Sequence, residues 1–459
     1  MTPRPPIRIL SPTAILGYGF PEAAFAAGLH KDPDVIAVDA GSTDPGPYYL
    51  GAGISFTTRP AVKRDLRLIL AAGRDRGIPV LIGSAGGAGA RPHLDWCVDI
   101  IHEIAGEDGL DGIMAVIPTD LTADSVRSAL DDGRIRSMPA GPPLTEEAIA
   151  ASANIVAQIG EAPLIRALAD GADVVVAGRC YDPAVFAALP IMRGYPAGLS
   201  LHMGKILECA AIAAVPGSGS DCMFATLDET GFTVETLSES RVCTVTSVAA
   251  HTLYEKSDPY RLPGPGGTLD LTETRFDQLD DRRVRVTGTI FEPSPAHMIK
   301  LEGARRTGCR TVSIAGVRAP DFIADLDDIL DGVRGNVAGQ FPQIDRAEAT
   351  LLFRAYGRDG VMGALEPERH QPSHEIGLVI EAVAETQDLA DAICAFARST
   401  LLHFGYEGRK STAGNLAFPY SPSDLKAGEV YEFSVYHLMQ FDDAEAAFPA
   451  EMIPLGGGS

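Results

Sequence analysis

Hydrophobic and polar positions in the first half of the chain predict strands and helices in alternation. Short apolar runs that stop at glycine or a polar residue indicate strands buried on both faces, and longer amphipathic segments indicate helices. Strands are predicted at 7–10, 34–39, 78–82, 112–117 and 172–177, and helices at 21–30, 60–76, 93–105, 122–131 and 145–169. The last helix would begin at Thr145, a typical N-cap residue. This alternation predicts an α/β fold with a doubly wound, mostly parallel sheet.

The pattern changes beyond residue 217, where β-branched runs and turn residues replace the alternation. A helix at 200–215 is followed by predicted strands at 234–237, 242–245, 284–289 and 311–314, and then by strands at 350–356, 375–384 and 430–437 around a helix at 388–403. We therefore expect four segments: a Rossmann-like α/β domain (1–220), a β-rich segment that is separate from it or continuous with it (221–346), a small α+β domain (347–440) and a flexible tail (441–459).

Composition narrows the class of protein. A chain of 459 residues exceeds one ordinary domain of about 100–200 residues, and its 46% hydrophobic and 22% charged residues are typical of a globular protein. The amino terminus lacks the apolar core of a signal peptide, and no apolar stretch approaches the ~18 residues of a membrane span, so we expect a cytoplasmic protein. Seven cysteines without a Cys-x-x-Cys pair predict neither disulfides nor a thiolate zinc site.

The formal net charge of −23 argues against binding to nucleic acid or to an anionic membrane, because both need clustered Lys and Arg. An anionic ligand would therefore need local positive charge. The cations of interest lie near the predicted strand ends and are Arg91, Arg179, Lys205 and Lys300.

Three loops at predicted strand ends carry the candidate chemistry, because ligands of open α/β sheets bind beyond the carboxyl ends of the strands. The first loop, 39–47, offers two carboxylates and two hydroxyls in Asp39, Ser42, Thr43 and Asp44. These groups suit a substrate hydroxyl, a metal or a proton, although an Asx turn followed by Pro-Gly would also explain them. We predict an acid–base role for Asp44 and substrate binding for the other three.

The second loop, 83–93, is rich in glycine and precedes a helix. Its backbone amides suit a phosphate, a carboxylate or an oxyanion, although the loop matches neither the dinucleotide fingerprint nor the phosphate loop. Close packing of helix on sheet is the structural alternative. Substrate binding is predicted for Ser84, Gly86, Gly87, Arg91 and His93.

The third loop places Arg179, Cys180 and Asp182 after the strand at 172–177. Arg179 suits recognition of a carboxylate by paired hydrogen bonds. Asp182 either caps the next helix or acts as a base or metal ligand. Cys180 either packs in the core or, with its pKa lowered by Arg179, acts as a nucleophile.

Two more acid–base candidates follow. Glu208 lies three residues after Lys205 on one helical face, so the pair is either a surface ion pair or contains a general acid–base group whose pKa burial raises. His251 precedes a Pro-Gly-rich loop at 261–267 that has the composition of a lid. A lone histidine is usually structural, and both interpretations of His251 stay open.

Three segments carry a resemblance to a known family, namely residues 171–182 (GADVVVAGRCYD), 204–210 (GKILECA) and 250–255 (AHTLYE). With them, the chain resembles the acyclic terpene utilisation (AtuA-like) family over roughly residues 6–440. The resemblance implies a bacterial protein that takes part in the breakdown of branched acyclic acids as coenzyme A thioesters, with a ferredoxin-like carboxyl-terminal domain. It implies no settled mechanism.

These observations predict an enzyme of carboxylic acid or acyl-CoA catabolism that performs a hydration, dehydration or other lyase step by proton transfer between carboxylates and histidine. One alternative is an acyl or lactone hydrolase that uses Cys180 or an activated water. Another is a non-catalytic ligand-binding or accessory subunit. The expected partners are a small anionic substrate and, through an exposed sheet edge, a second copy of the chain.

No cofactor follows directly from the residues. The chain has no His-x-x-x-His, no His-Glu-x-x-His and no paired cysteines, but His93 with Asp95 and the carboxylates at 39, 44 and 182 would suit a magnesium-like ion if they converged. A divalent metal is therefore a candidate, and the family resemblance implies coenzyme A as part of the substrate.

Overall fold

The chain forms two units in the computed structural model, which describes residues 4–139, 141–371 and 373–456. The first unit takes in the described residues of Met1–Arg305 and Phe433–Ser459, and the second is Arg306–Glu432. These limits differ from the predicted boundaries, because the predicted β-rich segment is divided between the two units.

The strands of the described residues are β1 (Ile7–Ser11), β2 (Val35–Asp39), β3 (Val80–Gly83), β4 (Ile113–Ile117), β5 (Ile135–Ser137), β6 (Asn154–Ala157), β7 (Val174–Ala177), β8 (Met223–Leu227), β9 (Gly231–Thr236), β10 (Arg261–Gly264), β11 (Gly267–Asp270), β12 (Arg275–Gln278), β13 (Arg283–Thr287), β14 (Ile290–Pro293), β15 (His297–Val317), β16 (Ala349–Tyr356), β17 (Ile376–Ala384), β18 (Asp424–Phe441) and β19 (Glu451–Pro454).

The α-helices are α1 (Glu22–Leu29), α2 (Pro47–Ala52), α3 (Arg59–Arg76), α4 (Arg91–Asp108), α5 (Ala123–Asp131), α6 (Glu146–Ala151), α7 (Ala162–Ala169), α8 (Ala184–Met192), α9 (Ala197–Leu207), α10 (Val245–Thr252), α11 (Pro320–Ala324), α12 (Leu326–Gln340), α13 (Gln387–His403) and α14 (Ala444–Ala447), with 3-10 helices at Ala210–Ala213 and Gly363–Leu365.

The first unit is built on a mixed sheet in the order β12-β13-β9-β8-β1-β2-β3-β7-β4-β19. Strands β1, β2, β3, β7 and β4 are parallel to their neighbours within this run, and the remaining strands join antiparallel. The five strands predicted in the first half of the chain are the parallel strands. The α/β class is therefore confirmed, and antiparallel strands flank the parallel centre on both sides.

Both faces of this sheet are covered, as successive side chains of β2 show. Val35 and Ala37 pack into one apolar cluster, while Ile36 and Val38 pack into another on the opposite face. Successive side chains of a strand point to opposite faces of the sheet. In a strand that is buried on both faces, apolar side chains are therefore expected at every position. This is why the chain reads as an unbroken apolar run there.

The second unit has its own core. Apart from the short α11, its elements follow the order β15, α12, β16, β17, α13, β18, with β17 antiparallel to both β16 and β15. Apolar side chains from α12, α13 and the sheet form one buried cluster. A β-α-β-β-α-β order is the one that a ferredoxin-like domain requires.

The prediction of one helix over 145–169 is wrong. Thr145 does cap a helix, since its hydroxyl accepts from the Ala148 N–H at 3.2 Å, but α6 ends after six residues. Strand β6 follows and pairs antiparallel with Leu301–Ala304, and α7 begins beyond Gly160. Ile155 and Val156 favour a strand once a distant partner is available, and that partner is not visible in local spacing.

Two further predictions need correction. Residues 242–245 were predicted as a strand, but Val242 makes only an isolated bridge, and Thr244 caps α10 in a capping box with Ser247. The predicted tail at 441–459 contains α14 and β19, and β19 pairs with β4 at the sheet edge. Residues 457–459 of that tail lie outside the described residues.

Candidate functional site

The three predicted strand-end loops lie next to one another, because they follow the neighbouring strands β2, β3 and β7. Two glycines allow the closest approaches. A Cβ on Gly41 would lie 2.9 Å from the Gly87 Cα, and a Cβ on Gly89 would lie 2.2 Å from the Arg179 backbone nitrogen. Both glycines also have positive φ angles, which L side chains rarely adopt. Glycine is therefore needed where the loops meet.

A buried ion pair between Arg179 and Glu302 organises these loops. The Arg179 Nε donates to Glu302 Oε2 at 2.8 Å, and both side chains are almost wholly inaccessible to solvent. The Arg179 Nη1 donates to Asp182 Oδ1 and to Ser84 Oγ, each at 3.0 Å, and to the Cys180 carbonyl at 2.7 Å. One guanidinium thus joins the second and third loops.

Glu302 also binds the first loop through its other oxygen. Glu302 Oε1 accepts from the Thr43 hydroxyl at 2.9 Å and from Lys300 Nζ at 2.7 Å. Burial alone would raise the pKa of Glu302, but the charges of Arg179 and Lys300 outweigh it and lower the pKa to about 2. Glu302 is therefore a fixed carboxylate. The sequence pattern did not single it out, because it alternates with apolar residues on a strand.

Ser84 adopts a left-handed backbone conformation at the end of β3, with φ of 47°. Such a conformation costs a non-glycine residue about 1–3 kcal/mol and persists only where surrounding contacts hold it. The Ser84 Oγ accepts from Arg179 and also from the Cys180 N–H at 3.3 Å. The predicted substrate-binding role of Ser84 stays a prediction, and in this structure its hydroxyl positions the third loop.

Asp39 and Glu208 are buried carboxyl groups that each keep one oxygen without a partner among the described residues, Oδ1 of Asp39 and Oε2 of Glu208. Burial, and then the charge of Asp182, raise the pKa of Asp39 well above its ordinary value, although Arg179 opposes this. The charge of Glu208 acts on Asp39 in the same direction. Such carboxyl groups tend to hold a proton.

Lys205 and Glu208 form a buried pair rather than a surface ion pair. The Lys205 Nζ donates to Glu208 Oε1, and only 3% and 5% of the two side chains is exposed. Burial raises the pKa of Glu208, Lys205 opposes that effect, and the pKa settles at about 7. Glu208 thus exchanges protons near neutral pH, which is the property that a general acid–base residue needs.

His251 lies buried at the end of α10 and stacks on Tyr254, with ring centroids 5.4 Å apart. Its Nε2 has no hydrogen-bond partner among the described residues. Burial and the charge of Lys205 lower the pKa of His251 to about 4, so the ring is neutral at physiological pH. The Pro-Gly-rich loop that was predicted as a lid forms the β10–β11 hairpin.

Cys180 is fully buried beside Arg179, and its environment disfavours a thiolate. Burial, followed by the charges of Asp39 and Asp182, raises the pKa of the thiol well above its ordinary value. The neighbouring guanidinium, which was expected to lower the pKa, is outweighed. A catalytic role for Cys180 remains a prediction without support from this geometry.

Other predicted residues are engaged elsewhere. Arg91 is exposed and pairs with Asp95 at 2.8 Å and with Glu451 at 3.2 Å, so its side chain is not joined to the buried cluster. The His93 Nε2 lies 3.1 Å from each of the Tyr49 and Ile54 carbonyls. A Cβ on Gly86 would lie 2.6 Å from the His93 carbonyl oxygen, as close packing between this loop and α4 would require.

Ser42 and Asp44 lie at the outer end of the first loop. The Ser42 hydroxyl donates to Asp44 Oδ2 at 2.8 Å and accepts from the Asp44 N–H at 3.1 Å, a local turn that leaves Asp44 exposed. The charge of Asp44 acts on Tyr254, which stacks on His251. Asp44 is therefore an exposed residue of the first loop rather than a member of the buried cluster.

The described residues contain no group of three or more His, Cys, Asp or Glu arranged to hold a metal ion. Asp39, Asp44 and Asp182 do not converge as a magnesium site would need, because Asp44 is turned toward Ser42 and Asp182 toward Arg179. Across the part of the chain that the structure describes, no helix has the length and apolarity of a membrane span.

Comparison with known protein families gives a match over most of the chain. Residues 58–422 match the family described as acyclic terpene utilisation family protein AtuA, a span that includes the Arg179 loop and most of the second unit. No curated protein and no solved structure matches the chain. Because the matched region covers most of the 459 residues, the chain belongs to the acyclic terpene utilisation AtuA family.

Proposed function

We propose that this protein is an enzyme of carboxylic acid or acyl-CoA catabolism that adds or removes water, with Glu208 as its general acid–base residue. The family description, which concerns acyclic terpene utilisation, supports a catabolic role. The observation that carries the proposal is Glu208 itself: one oxygen is bound by Lys205, the other has no partner among the described residues, and the pKa is about 7. Both protonation states are then populated near neutral pH.

The proposed reaction needs two proton transfers. In the direction of dehydration, a carboxylate removes a proton from the carbon next to the carbonyl, and the electron pair of that C–H bond forms the C=C bond. The C–O bond of the β-hydroxyl breaks as its oxygen receives a proton from an acid, and water leaves. Glu208 serves as one proton carrier. Asp182, which Arg179 holds at 3.0 Å, serves as the other.

Asp39 and His251 complete the proposed site. A protonated Asp39 donates a hydrogen bond to a substrate oxygen, as carboxylic acids with raised pKa values do in other enzymes. Neutral His251 offers Nε2 as a further donor or acceptor. Coenzyme A, where present, is part of the substrate.

A hydrolase that uses Cys180 as nucleophile is the less favoured alternative, because the thiol is buried and its pKa is raised. An accessory subunit that binds an acyl-CoA without turnover is the alternative outside enzyme chemistry. Asp39 and Glu208 each bury one carboxyl oxygen that has no hydrogen-bond partner among the described residues, and this favours catalysis, since an unpaired buried polar atom is costly unless it has a use.

The test is a turnover screen in D2O. Wild-type protein is incubated with 3-hydroxyacyl-CoA and 2-enoyl-CoA thioesters and with the free acids, and mass spectrometry follows gain or loss of water and deuterium incorporation next to the carbonyl. We expect turnover of at least one compound, and we expect Glu208→Gln to lower it by about 10²–10⁴-fold. Glu22→Gln, at an exposed position on α1, is the matched control and should leave the rate unchanged.

Equal rates for Glu208→Gln and wild type would contradict the assigned role of Glu208. Binding of an acyl-CoA without any turnover would favour the accessory subunit.

A further inference from the structure

Lys256 differs from the other cations around the buried carboxyl cluster because it has no direct carboxylate partner among the described residues. Arg179 pairs with Glu302 and Asp182, Lys300 pairs with Glu302, and Lys205 pairs with Glu208. Within the described ranges, Lys256 takes part in no such ion pair, although the charges of Glu208 and Asp182 act on it.

The backbone before Lys256 is held in an unusual conformation. Glu255 has a φ of 60°, in the left-handed region, and the Lys256 N–H donates to the Leu253 carbonyl at 3.1 Å to close the turn. For a glutamate this conformation is strained, and backbone strain of this kind is found most often at functional sites. The turn follows α10 directly, so the strained residue lies between His251 and Lys256.

The Lys256 side chain reaches the loop that follows β7. Its Nζ lies 5.8 Å from the ring centroid of Tyr181, which is itself buried. Tyr181 lies between Cys180 and Asp182 in the third loop. The ammonium therefore lies near the proposed proton carriers, whose charges act on it, and forms no direct ion pair with either of them among the described residues.

We propose that Lys256 binds a carboxylate of the substrate, so that the substrate class is acids or acyl thioesters that carry a second, free carboxylate. This inference rests on the proposed function. A substrate carboxylate would supply the anionic partner that Lys256 lacks in the described part of the chain, and a charge-assisted hydrogen bond to a half-buried ammonium is stronger than one between neutral groups. The burial that lowers the pKa of Lys256 would be offset once the carboxylate binds.

The test compares two unreactive thioesters of equal chain length, glutaryl-CoA and pentanoyl-CoA, by isothermal titration calorimetry. They differ in the terminal carboxylate, so the ratio of their Kd values reports its recognition. We expect wild type to prefer glutaryl-CoA by about tenfold. Lys256→Met should remove this preference while leaving the Kd for pentanoyl-CoA within about twofold, and Lys256→Arg should keep part of it. Lys31→Met, at a surface ion pair with Glu235, should keep all of it.

Equal Kd values in wild type, absence of binding by both thioesters, or a preference that survives Lys256→Met would overturn the inference. Melting temperatures of the variants serve to check that each variant is folded. The calorimetric experiment measures binding without turnover. The role of Lys256 can therefore be disproved while Glu208→Gln still lowers the rate as expected, and the role of Glu208 can be disproved while the preference for glutaryl-CoA still depends on Lys256.

Discussion

Arg179 and Glu302 are joined by a buried ion pair across 123 positions of sequence, with the Arg179 Nε 2.8 Å from Glu302 Oε2. Glu302 lies on β15 and Arg179 follows β7, so the pair connects two distant elements of the first unit. Thr43 joins through the same carboxylate. The arrangement of the three strand-end loops thus depends on one side chain that belongs to none of them.

Removing the Glu302 charge should destabilise the fold strongly. Glu302→Gln removes one of the two carboxylates paired with the buried Arg179, while Asp182 remains, and loss of one member of a buried pair typically costs about 3–5 kcal/mol. Urea denaturation measures the free energy of unfolding. Glu103→Gln, which alters exposed pairs with Arg59 and Lys63, is the control and should leave the free energy of unfolding nearly unchanged, because exposed ion pairs add little stability. If both variants lost the same free energy of unfolding, the buried pair would contribute no more to stability than the exposed pairs do, and the prediction would be wrong.

The stability difference between wild type and Glu302→Gln should depend on pH. The pKa of Glu302 in the folded state, about 2, lies below the ordinary value of about 4.3. A depressed pKa means that the stabilisation is present above the unfolded value and is lost as pH falls through the folded one. Denaturation curves at pH 5 and pH 3 should show the gap narrowing at pH 3, and a constant gap would contradict the assigned pKa.

The contact between Gly89 and Arg179 should not tolerate a side chain. In Gly89→Ala the new Cβ would lie 2.2 Å from the Arg179 backbone nitrogen, at a φ of 69° that alanine disfavours, so we expect a loss of several kcal/mol, about the upper range for single substitutions. Gly106→Ala on α4, where nothing lies within 4 Å, is the matched control. There we expect a gain of about 0.5–1 kcal/mol, measured by thermal unfolding.

Cys180 should behave as a packed thiol. Because burial raises its pKa, we expect an iodoacetamide reaction at Cys180 only after unfolding, as measured by peptide mass spectrometry. Cys180→Ser should retain most of any activity found in the turnover screen. Rapid alkylation in the native protein, together with loss of turnover in the serine variant, would favour the hydrolase alternative.

Local pattern was sufficient to predict the strands that carry the site. Because β2, β3 and β7 are buried on both faces, their apolar runs are unambiguous, and the loops that follow them lie together as expected for neighbouring parallel strands. Glu208 was identified from its helical spacing to Lys205. Spacing did not reveal whether that pair is exposed, since burial depends on α9 packing against distant elements.

Long-range pairing accounts for what the sequence did not reveal. Strand β6 exists because Leu301–Ala304 lies beside it, and Glu302 is central because Arg179 and Thr43 reach it from distant loops. Arg91 was predicted to bind an anionic substrate, but its guanidinium forms an ion pair with Glu451, which lies far along the chain. Such contacts become visible only in three dimensions.

Measuring the pKa of the Glu208 carboxyl group is the most direct test of the proposed acid–base role. Carbon-13 NMR of protein labelled at glutamate carboxyl groups, with Glu208→Gln to assign the resonance, follows this side chain without a substrate. We predict titration at about pH 7, because burial outweighs the opposing charge of Lys205. Titration near the ordinary value of about 4.3 would contradict the claim that Glu208 is the general acid–base residue at neutral pH.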